Sequence, residues 1–481
     1  MKKDLKGLEQ SALQLEPGAD ERKALMERVL EYSENFLNRI HELPSFISNE
    51  DTCAGLYDMP ITDEGTELEK LLEVFEKNVM QRGINAASRG HLGYIPGGGI
   101  YHSALADYLA AVTNRYAGVY FAAPGAVEME NMLIDWMAGL IGYPKDTGGN
   151  LTSGGSIANL TGIVTARDFK EIKARDIERS VIYMTTQVHH SVDKAIRIAG
   201  LKECVQRFIP VDGSFRMCTD LLENAIKEDK SNGLNPFLVI ASAGTTDTGA
   251  VDPLQHIGEI ASANSLWFHL DAAYGGFFIM AESAKALLKG MELSDSVIMD
   301  PHKSLFLPYG SGAVLIKDKM SLLASHHYTA NYMQDAYEGH GEFSPADLSP
   351  ELSKHFRGLR LWLPLKLLGT VPFSDSLEEK IQLTRYFHEK LQSMPGFETG
   401  PYPDLSVSTF RYIPEKGNAD EFNKNLVSEI HKDGRLFLSS TVLNGNYTLR
   451  LAVLSFRTHR DTIDEMLSIL NEKTMELTGR R

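Results

Sequence analysis

Cysteine is scarce: Cys53, Cys204 and Cys218 are the only three in 481 residues, and no two form a Cys-x-x-Cys pair. That spacing offers neither a disulfide framework nor a cysteine zinc site, and it suits a reducing compartment. No run of about 18 apolar residues occurs, so no membrane-spanning helix is expected. The start, Met1-Lys2-Lys3-Asp4-Leu5-Lys6, lacks the apolar stretch of a secretory leader. Positive charge is also short, with 48 Lys and Arg against 64 Asp and Glu and a formal net charge of −16. Nucleic acid and anionic membranes are therefore poor candidates for main partners. Internal repeats and low-complexity tracts are missing too. What remains is 43% hydrophobic and 23% charged, ordinary for a globular chain and long enough for two or three domains. A cytoplasmic, non-membrane protein is expected.

Leu25, Val29, Tyr32, Phe36 and Ile40 recur at helical spacing, which predicts a helix from about Glu21 to Leu43. A turn-rich stretch from Ser48 to Gly65 follows, then a second helix from Leu68 to Arg82. This segment is too thin to enclose a core and must pack on the main domain or on a partner subunit. From about Ala87 to Lys317, β-branched apolar runs alternate with helical stretches. Strands are expected at Val181–Thr185, Phe208–Val211, Phe237–Ala241, Leu266–Leu270, Ser296–Met299 and Ala313–Ile316. Helices such as Ser156–Lys173, Ser191–Ala199, Thr219–Glu228 and Pro253–Ala263 fall between them. The alternation predicts an α/β fold, a mostly parallel sheet flanked by helices, with ligands at the carboxyl ends of the strands. A polar, aromatic stretch around His326-His327-Tyr328 reads as a long mobile segment of the lid kind. Helix Leu359–Leu368 then opens a smaller α+β region. The expected division is residues 1–85 as an N-terminal helical segment, 86–357 as a large domain and 358–481 as a small C-terminal domain.

Lys303 and Asp271 carry the strongest chemical signal. Each follows or ends an expected strand, in Asp300-Pro301-His302-Lys303 and in His269-Leu270-Asp271-Ala272-Ala273. A lysine and an acid so placed suit pyridoxal phosphate: the amine forms a Schiff base with the aldehyde, and the acid keeps the pyridine nitrogen protonated. The plainer readings are a solvated lysine and a structural acid bound to backbone or arginine. Thr152-Ser153-Gly154-Gly155-Ser156 opens a helix with small hydroxylated residues and glycines, a cradle for a phosphate, though Ser156 also reads as an ordinary N-cap. Gly97-Gly98-Gly99 precedes no nucleotide fingerprint and reads as a flexible turn. His189-His190 begins another helix, where an imidazole can stack on a flat ring and shuttle a proton, or simply cap the helix. No carboxylate or cysteine lies at ligand spacing from this pair, so no metal site is expected.

Taken together, these residues resemble the group II pyridoxal-phosphate-dependent amino acid decarboxylases, of the aspartate-aminotransferase-like fold type I. The likeness rests on Asp300-Pro301-His302-Lys303, His269-Leu270-Asp271-Ala272-Ala273-Tyr274-Gly275, Gln187-Val188-His189-His190 and Ala243-Gly244-Thr245-Thr246. It continues through His355-Phe356-Arg357-Gly358-Leu359-Arg360 and Leu449-Arg450-Leu451. The resemblance implies that Lys303 carries the cofactor, Asp271 pairs with the pyridine nitrogen and His189 stacks over the ring. It places Ser153, Gly155, Ser156 and His302 on the phosphate, and Ala273 and Thr246 on the ring and its substituents. It makes Tyr332 the proton donor to Cα, with Tyr328 as a nearby rival, and Arg450 the anchor of the substrate's α-carboxylate. The stretch containing His91 and Tyr94, together with Tyr116 through Phe121, would wall the side-chain pocket. Two positions depart from the pattern: Asp300 stands where asparagine is frequent, and Ser304 where tryptophan is frequent.

The expected activity is decarboxylation of an L-amino acid, of aromatic kind, to the amine and carbon dioxide. Decarboxylation of glutamate, histidine or a similar substrate is the alternative, as is an aldehyde-forming enzyme on the same fold. Tyr332 favours the amine, because aldehyde-forming relatives carry phenylalanine there. A catalytically dead scaffold is the reading from another class, and the presence of both Lys303 and Asp271 speaks against it. The family further implies a homodimer with its site at the subunit interface, which would make residues 1–85 a dimerisation segment.

Overall fold

The computed structural model describes residues 4–48, 54–328 and 343–479. The N-terminal segment holds α1 (Leu5–Ala12), α2 (Ala19–Arg39) and α3 (Leu68–Phe75). Helix α3 runs on into a π-helical turn at Glu76–Met80, where the sequence pattern predicts continued α-helix to Arg82. None of the residues of α1, α2 or α3 is buried. Short strands β1 (Phe46–Ile47) and β2 (Gly83–Ile84) pair with each other, and Ser45 N–H donates to the Gly434 carbonyl far along the chain. Strand β3 (His91–Leu92) then leads to helices α4 (Tyr101–Thr113) and α5 (Pro124–Ile141).

The large sheet contains β4 (Gly148–Thr152), β5 (Ser180–Met184), β6 (Val205–Phe208), β7 (Asn235–Ser242), β8 (Trp267–Asp271), β9 (Ser296–Met299) and β10 (Gly312–Ile316). Its order is β4-β10-β9-β8-β7-β5-β6. Only β10 runs against its neighbours, β4 and β9, so the other strands all point one way. Helices α6 (Gly155–Phe169), α7 (His190–Ile198), α8 (Thr219–Ser231) and α9 (Leu254–Asn264) connect strands, as parallel crossovers require. Strands β8, β9 and β10 are buried throughout, which is why they read as continuous apolar runs rather than alternating ones.

One strand lies elsewhere than the sequence pattern predicts. The run Phe208–Val211 is mostly outside the ladder, and β6 occupies Val205–Phe208 instead. Pro210 has no N–H to give, so pairing stops before it. As the edge strand, β6 is half-exposed and carries little apolar signature. The triple glycine is also no loose turn. A Cβ on Gly97 would lie 2.1 Å from the His302 carbonyl oxygen, and one on Gly98, at φ +89°, would lie 2.7 Å from Ser455 Oγ. Glycine is required there because the backbone presses against the segment that carries Lys303.

A five-stranded sheet forms the second layer, in the order β11 (Phe397–Thr399), β12 (Val407–Tyr412), β14 (Asn446–Ala452), β13 (Phe437–Leu443), β3. Its last member comes from early in the chain: His91 and Leu92 pair in parallel with Phe437 and Leu438. Leu92, Phe387, Phe410, Leu449 and Ile463 fill its core. Two further clusters cover the two faces of the large sheet.

A buried ion pair ties β4 and α5 to Lys354, far along the chain. Lys354 Nζ lies 2.7 Å from Glu130 Oε1 on α5 and 3.2 Å from Asn150 Oδ1 on β4. Glu130 also accepts the Leu151 N–H at 2.9 Å. The lysine and glutamate side chains are 0% and 4% exposed. Removing one member leaves an uncompensated buried charge, so Lys354→Met is expected to cost about 3–5 kcal/mol, read as a lowered midpoint in urea unfolding.

Candidate active site

The parallel strands deliver their carboxyl ends to one edge of the sheet, and each leads into a polar group. Strand β4 runs into Ser153 and the start of α6, and β5 into His189. Strand β7 leads to Thr245 and Thr246, and β8 ends on Asp271. After β9 comes Asp300, then the single turn α10 (Pro301–Ser304) with His302 and Lys303. A cavity of about 410 Å³ opens at this edge. Ser153, Gly155, Ser156, His189, Thr246, Asp271, Ala273, His302 and Lys303 all line it, so the residues expected around a cofactor share one space.

Lys303 Nζ lies 3.1 Å from Asp300 Oδ2. The second carboxylate oxygen, Asp300 Oδ1, is buried without a hydrogen-bond partner. Asp271 is 8% exposed. Its Oδ1 accepts the Ala273 N–H and its Oδ2 an Asn159 Nδ2–H, both at 3.2 Å. A buried carboxylate held by neutral donors is a suitable mate for a protonated ring nitrogen. His302 donates from Nδ1 to the Ser311 carbonyl at 2.5 Å, and burial holds its pKa below the ordinary value. His189 caps α7, its Nδ1 accepting the Ser191 N–H at 3.2 Å. Burial lowers its pKa, against the opposing pull of Asp271.

A second cavity, of about 510 Å³, shares His189, Thr246, His302 and Lys303 with the first. Its other walls are Tyr94, Ile95, Gln187, Val188, His190, Asp247 and Tyr309. Behind that wall stands Arg450 on β14, 3% exposed. Its Nε donates to the Thr246 carbonyl at 2.6 Å and its Nη1 to the Tyr94 carbonyl at 2.7 Å. The remaining nitrogen, Nη2, is buried with no partner, and burial draws the guanidinium pKa down to about 10. An unspent donor of this kind suits a carboxylate.

His91 does not take the place foreseen for it. It is 2% exposed, with its ring 5.8 Å from Phe437 and 6.4 Å from Tyr94, and it lines neither cavity. Pairing of β3 with β13 turns it into the seam between them, and burial pushes its pKa down to about 4. Tyr332 lies outside the described residues. Tyr328 is described and is 82% exposed. Sequence reasoning missed Asn159 and Ser191, which line the first cavity, and Gln187, whose buried Oε1 lacks a partner. A sequence signal existed for Asn159, a polar residue about one turn beyond Ser156 on the same helix.

Residues 51–413 match the family model described as pyridoxal-dependent decarboxylase conserved domain. The chain belongs to the pyridoxal-dependent decarboxylases. An aromatic-L-amino-acid decarboxylase of Bacillus atrophaeus is 33% identical over 462 residues, which span 95% of each chain. A phenylacetaldehyde synthase of Petunia hybrida is 30% identical over 434 residues, 86% of each. Among solved structures, Oryza sativa TDC with PLP and tryptamine superposes with a TM-score of 0.90 at 22% identity, covering 96% of this chain and 99% of that one. That last likeness is one of fold, the fold type I of these enzymes. The protein is thus a group II pyridoxal-phosphate-dependent amino acid decarboxylase.

The cavity fits the cofactor. Asp271 is a buried acid suited to the ring nitrogen, the glycine-rich start of α6 could take the phosphate, and Lys303 has an amine that could take the aldehyde. Lys303→Ala is expected to abolish covalent capture of pyridoxal phosphate. Borohydride reduction followed by mass spectrometry of the Lys303 peptide should show the adduct in the wild type and none in the variant.

Proposed function

We propose that the protein decarboxylates an aromatic L-amino acid to its amine, acting as a homodimer in the cytoplasm. The observation that carries this reading is the second cavity. It opens on Lys303, its walls include Tyr94, Ile95, Val188 and Tyr309, and Arg450 stands behind it with a free donor. Apart from Lys303 itself, no lysine or arginine lines it among the described residues, which disfavours an acidic side chain. The resemblance to an aromatic-L-amino-acid decarboxylase across nearly the whole chain supports the same substrate class.

Bound pyridoxal phosphate supplies an aldehyde for the substrate's amine and a protonated ring that takes up the electron pair left by the departing carboxylate. The chain's own residues arrange the rest. Asp271 would hold the proton on the ring nitrogen. Ser153, Gly155, Ser156 and His302 would hold the phosphate. Thr246 and Ala273 would border the ring, and His189 would cover one face of it. Arg450 takes the α-carboxylate with its spare N–H groups and sets the direction of the bond to be broken. Positioning of this kind is worth roughly 7–11 kcal/mol in well-aligned systems. Tyr332 returns a proton to Cα, a role that rests on its place in the sequence.

The homodimer is supported by apolar surface left without cover. Helix α4 exposes Tyr101, Leu105, Tyr108, Leu109 and Val112, and α2 exposes Leu25, Met26, Val29 and Leu30. A second copy would bury both. We further propose residues 1–85 as the dimerisation segment, 86–357 as the cofactor domain and 358–481 as the small domain, with β3 crossing from the second to the third.

Release of carbon dioxide from a panel of amino acids tests the substrate. Tryptophan, tyrosine or phenylalanine should be consumed, by a species that sediments as a dimer. Preferential turnover of glutamate or 2,4-diaminobutyrate would overturn the aromatic reading. The aldehyde-forming alternative has its own test. Tyr332→Phe should divide the product between amine and aldehyde, and amine as the sole product of that variant would remove Tyr332 from the protonation step.

A further inference from the structure

A buried hydrogen-bond chain runs beneath the cofactor cavity, and its direction can be worked out atom by atom. Asp271 Oδ2, as a carboxylate oxygen, only accepts. The Asn159 atom 3.2 Å from it is therefore the amide nitrogen, and Asn159 Oδ1 faces His269 Nε2 at 2.8 Å. His269 Nε2 must then carry hydrogen. This ring is 0% exposed and burial pushes its pKa down to about 4, so it is neutral and its Nδ1 is bare. Ser296 Oγ, 2.7 Å away, donates to that Nδ1 and itself accepts the Trp267 Nε1–H at 2.8 Å. Trp267 can only donate, so this end of the chain cannot reverse.

The other branch leaves from the same amide. The second hydrogen on Asn159 Nδ2 goes to Ser191 Oγ at 3.0 Å. Ser191 is then free to donate its own hydroxyl hydrogen to His189 Nδ1 at 2.7 Å. The Ser191 N–H donates to the same ring nitrogen at 3.2 Å. Two donors on Nδ1 leave the His189 proton on Nε2.

We propose that Asn159 is a positioning residue that orients the carboxylate of Asp271 and, through Ser191, holds His189 as the neutral Nε2–H imidazole. One amide serves both faces of the cofactor site: the acid that meets the ring nitrogen and the imidazole that covers the ring. Protonating His189 at Nδ1 requires the Ser191 hydroxyl to turn away and its N–H to lose an acceptor. The two donors on Nδ1 therefore oppose charging of the ring as pH falls. The charged and titratable groups facing His189 are Asp271 on β8, Asp300 and Lys303 around α10, and His190 on α7. Asp271 and Asp300 favour a charged ring, so the donors on Nδ1 act against them. The inference rests on the pyridoxal phosphate site and not on which amino acid is consumed.

Two variants separate the branches. Asn159→Leu keeps the branched shape and the number of heavy atoms and removes every hydrogen bond of the amide. The holoenzyme's dissociation constant for pyridoxal phosphate, followed by the visible band, should rise by about tenfold or more as Asp271 loses its donor. The acid limb of its kcat/KM profile should also move up by about one pH unit as His189 regains ordinary basicity. Ser191→Ala cuts only the His189 branch. Its acid limb should move up in the same direction, while cofactor affinity stays within about twofold of the wild type, because the bond from Asn159 to Asp271 is intact. Ser191→Ala also keeps the test open if Asn159→Leu fails to fold. An unmoved acid limb in Ser191→Ala would overturn the His189 branch. Unchanged cofactor affinity in a folded Asn159→Leu would overturn the Asp271 branch. The affinity measurement needs no substrate, so it stands even if the aromatic assignment fails.

Discussion

The carboxylate of Asp271, buried at the end of a central strand and hydrogen-bonded to neutral donors, is the constraint on which the site depends. A buried anion is costly until a cation arrives. The sheet holds this group in place by burying every residue of β8 and by pairing it in parallel with β7 and β9. The acid is thus fixed on a rigid element, with Thr246 and Lys303 following its two neighbours. On the proposed reading, pyridoxal phosphate would bring the positive ring nitrogen that the acid lacks, so the cofactor's binding and its chemistry would use the same charge.

One link between the two sheets is a guanidinium. Arg450 belongs to the small sheet, yet it holds the Thr246 carbonyl that follows β7 and the Tyr94 carbonyl that follows β3. The spare donor is left where three segments far apart in sequence converge. Close backbone approaches do similar work on the other side. Gly97 presses on the His302 carbonyl, and a Cβ on Gly312 would lie 2.6 Å from Gly154 Cα. The turn bearing the lysine and the phosphate cradle are therefore both clamped by main chain.

Much of this could be read from the chain alone. Lys303, Asp271, His189 and the Ser153–Ser156 stretch are each local events at strand ends, where an apolar run gives way to a polar group. The alternation of runs and helices disclosed the parallel sheet. Other features have no local signature. Strand β4, Gly-Gly-Asn-Leu-Thr, has too little apolar character to announce itself, although it leads into the phosphate cradle. Gly97-Gly98-Gly99 reads as looseness and is in fact crowding, a distinction that only the position of His302 makes. His91 is apolar-facing because of a strand partner more than 300 residues away. Asn159 acquires meaning only from what lies across the helix, on strand β8 and at the start of α7.

The grip on Tyr94 bears on how such an enzyme can change what it accepts. Arg450 holds residue 94 by its main-chain carbonyl, while Tyr94 also lines the second cavity, where the proposed function would seat the variable portion of a substrate. On that reading, recognition of what all amino acids share would be uncoupled from recognition of what distinguishes them. The backbone there sits at φ +53°, a left-handed conformation that asparagine and glycine adopt readily and β-branched residues do not. Replacement at this position is thus channelled: a narrow set of residues can remodel the cavity wall, and each keeps the main-chain carbonyl that Arg450 holds.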